Sequence, residues 1–132
     1  MMNGCHIKPE QFFNLIFGYY DRYWERQYTL SATAGTNFLA GTAVPAGEIW
    51  VVTSLRGVDV NTSPSSLTLQ AYDGTTTIVL ARKLSPGINT DVIWSGQAFL
   101  KAGDYIQARF DGCTLNDDIY LDIMGYKMKL VQ

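Results

Sequence analysis

From Tyr28 onward, short segments rich in Val, Ile, Thr and aromatic residues are cut repeatedly by clusters of Gly, Pro, Asn, Asp and Ser. Turn residues at such short intervals leave no room for the helical crossovers that parallel strands require, so antiparallel pairing is expected. The breaks fall at Pro45-Ala46-Gly47, Asn61-Thr62-Ser63-Pro64, Asp73-Gly74, Ser85-Pro86-Gly87 and Asp111-Gly112. Between them the sequence predicts strands over 27–33, 36–43, 48–60, 66–72, 75–84, 91–99, 104–110 and 118–130. About eight short strands without crossovers imply an all-β, antiparallel two-sheet β-sandwich, for which a jelly roll is the natural topology. The 132 residues suit one core of this kind.

Period-two alternation assigns the faces. Leu67, Leu69 and Ala71 point to one side and Thr68, Gln70 and Tyr72 to the other. Ile106, Ala108 and Phe110 oppose Tyr105, Gln107 and Arg109, while Ile119, Leu121 and Ile123 oppose Tyr120, Asp122 and Met124. Asp73-Gly74 predicts a two-residue hairpin loop. Gly57 is expected to mark a bulge that re-aims Val58 and Val60.

The composition changes near residue 27, which divides the chain into an N-terminal aromatic arm, 1–27, and a sandwich domain, 28–132. Over Pro9 to Gln27 the spacing predicts a helix: Pro9 and Glu10 suit a first turn, and Phe12, Ile16, Tyr20 and Tyr23 recur at helical intervals. Seven of the seventeen aromatic residues lie between Phe12 and Trp24, so this segment must cover its rings somewhere. Packing on its own sandwich is one outcome. The other is docking on a partner or sister subunit through Phe12, Phe13, Ile16, Phe17, Tyr19, Tyr20, Tyr23 and Trp24. The apolar run from Phe12 to Phe17 is too short to span a bilayer and lacks the cleavage signature of a secretory leader.

Little in the sequence can carry catalysis. The one histidine, His6, lies at the N-terminus. Asp117, Asp118 and Asp122, with Asp111 upstream, lack calcium-loop spacing, and Asn116-Asp117-Asp118 is an ordinary turn. No phosphate loop, dinucleotide fingerprint or zinc spacing is present. No catalytic residue, metal or cofactor is therefore expected, and the chain reads as a non-enzyme. A net charge of −2 without any Lys/Arg run argues against nucleic acid as a partner. Cys5 and Cys113 suit free thiols in a reducing compartment, although a bridge between them is also possible.

The stretch Thr42 to Leu55 (TAVPAGEIWVVTSL), followed by Val58-Asp59-Val60-Asn61, resembles the opening of small β-sandwich virion proteins of tailed bacteriophages. Phe99 to Ile106 (FLKAGDYI) and Ile123-Met124-Gly125-Tyr126 resemble two later segments of the same family, in the same order. Together they run from about residue 40 to 128. The resemblance implies a jelly-roll-like structural protein of the virion, assembled in the host cytoplasm, often trimeric, with the major capsid protein or another virion protein as partner. Among such proteins are capsid decoration or cement proteins, head fibres and tail components. The expected function is decoration or cement, docked through the aromatic arm. The alternative is a tail or head-fibre module that recognises host carbohydrate, with Trp50, Trp94, Tyr72, Tyr105 and Tyr120 stacking on sugar rings.

Overall fold

The computed structural model describes residues 17–130. Within them run strands β1 (Phe17–Thr29), β2 (Gly35–Ala40), β3 (Glu48–Asp59), β4 (Ser66–Tyr72), β5 (Thr77–Leu84), β6 (Val92–Leu100), β7 (Tyr105–Cys113) and β8 (Ile119–Leu130). They form two four-stranded antiparallel sheets, ordered β1-β8-β3-β6 and β2-β7-β4-β5. Pairing is nested: β1 with β8, β2 with β7, β3 with β6 and β4 with β5. A long antiparallel ribbon folded over on itself gives this order, which is the jelly roll. The expected all-β sandwich is present.

Over the described residues the helical arm is not. Phe17–Thr29 is an edge strand, paired along its length with β8 from Phe17↔Leu130 to Thr29↔Ile119. The first sheet thus takes in residues that the sequence reading assigned to the arm. The helix lost because β8 offers this segment a ladder of backbone partners, and Tyr, Trp and Thr suit a pleated surface as well as a helix. The remainder of the expected arm, Phe12, Phe13 and Ile16 included, lies outside the described residues.

The two inner faces meet as alternation predicts. Leu67 and Leu69 from β4, Ile106, Ala108 and Phe110 from β7, and Ile119, Leu121 and Ile123 from β8 share one core with Val52 and Leu55. Gly57 marks no bulge; in β3 the register shifts between Val52 and Ser54 instead. Gly57 serves close sheet approach, since a Cβ there would sit 2.8 Å from Leu67 Cδ2. The β4–β5 hairpin forms, but with Tyr72 paired to Thr77 its loop is longer than two residues. Asp73 organises that loop by accepting the amides of Thr75 and Thr76 at 2.8 and 2.6 Å.

The two sides of the sandwich differ. Beside β1, Glu25 forms a polar clasp: its carboxylate accepts the Thr42 amide at 3.0 Å, the Tyr23 hydroxyl at 2.8 Å and the Gln27 amide at 2.6 Å. Burial alone would raise this carboxyl, yet these donors hold it below its ordinary value. Beside β5 and β6 the sheets part, leaving an apolar cleft of about 490 Å³ lined by Ala71, Ile78, Leu80, Ala98 and Phe99.

Candidate interaction surface

Because β1 and β8 pair in register, the residues that alternate away from the core form rows across the outer face of the first sheet. Arg22 opposes Tyr126, Trp24 opposes Met124, Arg26 opposes Asp122, and Tyr28 opposes Tyr120. β3 and β6 continue these rows with Val51 and Phe99, Ser54 and Ser95, and Arg56 and Ile93. Val51 and Val58 are fully buried although they face outward, so this face carries a covered apolar floor of its own.

Large side chains stand on that floor in the open. Tyr19 is 67% exposed, Trp24 59%, Tyr28 57%, Ile93 65% and Phe99 63%, with Met124 between them. Tyr28 and Tyr120 stack at 5.8 Å and 19°. Tyr19 meets Tyr126 at 6.2 Å, and the Arg22 guanidinium lies 3.7 Å from the centre of the Trp24 ring. Ring-to-ring contact on a sheet face limits rotamer freedom, which lowers the entropy lost when a partner covers the rings.

A charged row crosses the middle of this face. Arg26 donates to Asp122 at 2.6 and 3.0 Å. Arg56 reaches the same carboxylate at 3.0 Å and Asp91 at 3.0 Å. The hydrogen bonds from Arg26 and Arg56 keep Asp122 ionised below the usual carboxylate range, despite partial burial. The row is neutral as a whole, and its alternating charges give the face a direction that an apolar patch alone lacks.

Of the residues that the sequence singled out for docking, Tyr19 and Trp24 lie on this face. Tyr23 does not: it is buried in the core, its ring 4.6 Å from that of Trp50. Tyr20 sits at the end of β1, where its hydroxyl donates to Glu48 and Lys129 lies over its ring. Phe17 opens β1 opposite Leu130. Phe12, Phe13 and Ile16 lie outside the described residues. Tyr28, Ile93, Phe99 and Met124 were not foreseen as interface residues. Their outward positions on strands were the available signal, and Met124 already stood opposite the Ile119-Leu121-Ile123 face.

The set proposed for sugar stacking is not brought together. Trp50 is buried and Trp94 packs against the core. Tyr72 and Tyr105 meet edge to face at 5.5 Å on the second sheet, away from Tyr120 on the first. The acidic residues also disperse. Asp111 accepts Thr36, Ser66 and Arg109 on the second sheet, Asp122 joins the arginine row, and Asp117 lies against Thr62.

No protein-family model matches the sequence, and no curated protein sequence matches it. The fold does match solved structures. A chain of the acidic stable capsid structure of Helicobacter pylori bacteriophage KHP30 is similar over 83% of this chain and 90% of its own length, at 14% identity and a TM-score of 0.59. A putative alpha-L-fucosidase from Bacteroides thetaiotaomicron reaches a TM-score of 0.43 at 12% identity, covering 89% of this chain and 25% of that one. The adhesin domain of Lys-gingipain from Porphyromonas gingivalis reaches 0.41 at 19% identity, covering 72% and 63%. The first likeness establishes a shared fold. No helix among the described residues is long and apolar enough to cross a membrane.

Proposed function

We propose that this chain is a non-enzymatic structural subunit of a tailed-phage virion, placed on the head as a decoration or cement protein. The observation that carries this reading is the outer face of the β1-β8-β3-β6 sheet, where five large side chains stand more than half exposed around the charged row. Large apolar side chains gathered in the open on one sheet face mark a protein contact. The fold shared with a phage capsid chain supports the setting.

In this reading Tyr19, Trp24, Tyr28, Met124, Ile93 and Phe99 cover an apolar area of the major capsid protein or another virion protein. The Arg26–Asp122–Arg56 row sets the docking direction. Phe12, Phe13, Ile16 and Phe17 add contacts to the same partner, and three copies act together. Covering four or five such side chains offers on the order of 10 kcal/mol before ordering costs, and repeated sites add avidity. The deciding experiment mixes purified phage heads lacking this chain with wild-type protein or with the Trp24→Ala/Tyr28→Ala variant and measures bound copies by sedimentation. The variant is expected to fold and to lose most of its occupancy. Full occupancy by the folded variant would refute docking through this face.

A further inference from the structure

At the end of the sandwich where β3 and β7 finish, Asp59 and Asp117 lie side by side. Asp59 is 1% exposed and Asp117 2%. Their carboxylates and the Cys113 thiol all lie within 4.8 Å of one another. Asp59 Oδ1 accepts the amides of Asn61 and Thr62 at 3.1 and 3.2 Å. Asp117 Oδ2 accepts the Thr114 amide at 2.9 Å and the Thr62 hydroxyl at 2.5 Å. That hydroxyl is also 3.4 Å from Asp59 Oδ2, so it spans both acids.

Among the described residues, the surroundings supply no neutralising cation. The β3–β4 connection presents Asn61 and Thr62, and the β1–β2 connection presents Ala32, whose amide donates to the Asp117 carbonyl at 3.1 Å. The β5–β6 connection presents the Asn89 amide, 2.9 Å from the Asp59 carbonyl. β7 contributes Cys113 and, further off, Asp111, while the β7–β8 connection contributes Asp117 and Asp118. Every ionisable group facing Asp59 among the described residues is thus an acid or a thiol. Two buried carboxylates this close, without a cation, cannot both ionise at ordinary cost.

We propose that Asp59 and Asp117 share one proton and form a pH-responsive lock that ties four connections together at this end of the sandwich. Protonated Asp59 closes the cluster as a donor to Asp117. Loss of the shared proton sets two negative charges against each other and loosens the loops that carry Leu30 and Leu115, two exposed apolar side chains at this end.

The titration directions agree. Burial first, then Asp117, lifts Asp59 to about 6. Burial would raise Asp117 too, yet Thr62, Asp59 and the Thr114 amide hold it below its ordinary value. In the unfolded chain both acids release their protons near pH ~4. Between about 4 and 6 the folded pair keeps a proton that the unfolded chain has lost. The stability from that proton is therefore complete near pH 4 and disappears as pH rises through 6.

Asp59→Asn tests this, because asparagine reproduces the protonated acid with an NH₂ that donates to Asp117. Wild-type Tm is expected to fall, relative to the variant, by on the order of 5 °C between pH 4.5 and 8. The variant should match wild type at pH 4.5 and exceed it at pH 8. A Tm difference independent of pH overturns the proposal. Should the variant not fold, carboxyl ¹³C NMR of the wild-type protein reads the same quantity: an aspartate resonance titrating near 6 supports the lock, and none titrating above 4.5 overturns it.

Discussion

Arg26 and Asp122 face each other across the β1–β8 ladder and are joined by two hydrogen bonds, of 2.6 and 3.0 Å. The same carboxylate also takes Arg56, so one acid holds two guanidinium groups together on the outer face of the sheet.

Removing Asp122 therefore leaves two like charges adjacent. Asp122→Asn is expected to reduce unfolding free energy by about 1 kcal/mol, a modest figure because the row is partly solvated. The sign of the pH dependence is fixed by the lowered pKa of Asp122. Its contribution is present above the unfolded value near pH ~4 and is lost as pH falls through the lower folded value. Urea unfolding at pH 7 should separate wild type from variant, and the gap should narrow as the pH is taken down into the acid range.

Two glycines in the sheets should differ sharply under Ala substitution. A Cβ on Gly125 would lie 1.9 Å from the Val51 carbonyl oxygen, which is backbone and cannot swing aside. A Cβ on Gly57 meets the ends of Leu67 and Leu69 at 2.8 and 3.0 Å, and those side chains can rotate. Gly57→Ala is expected to cost ~1–3 kcal/mol, within the range for overpacking. Gly125→Ala should cost more, because it pries β3 from β8. Equal midpoints in denaturant would contradict this ordering.

The Glu25 clasp makes a local prediction. Glu25→Ala strips the Thr42 amide and the Tyr23 hydroxyl of their acceptor, at a cost of about 2 kcal/mol. Hydrogen exchange at the Thr42 amide should accelerate, while exchange in β4 and β7 should change only with the global stability.

Cys113 is buried, and burial, reinforced by the charge of Asp59, raises its thiol to about 11. A thiol so placed has almost no thiolate at neutral pH. Alkylation with iodoacetamide, followed by peptide mass spectrometry, should modify Cys113 only after denaturant is added.

Where one face is apolar and the other polar, the strands could be read directly from sequence. Leu67-Leu69-Ala71 and Ile119-Leu121-Ile123 lie on the inner faces as their alternation required. β1 defeated that logic because both of its faces are mixed. Tyr23 and Glu25 turn inward, Trp24 and Arg26 turn outward, and the aromatic spacing happens to fit a helix. The aromatic outer face escaped for a related reason: its residues come from β1, β8 and β6, far apart in sequence, and only strand order makes them neighbours. The Asp59–Asp117 contact likewise joins two turns that nothing local connects.

The nested pairing has a consequence for synthesis. β4 and β5 can close as a hairpin as soon as both have left the ribosome, and β3 with β6 and then β2 with β7 can follow outward. Among these eight strands β1 emerges first yet must wait for β8, which is made after the other seven. Until β8 is made, Tyr23 and its neighbours remain without their final partner, so chaperone capture or misassociation of the nascent chain should concentrate on β1.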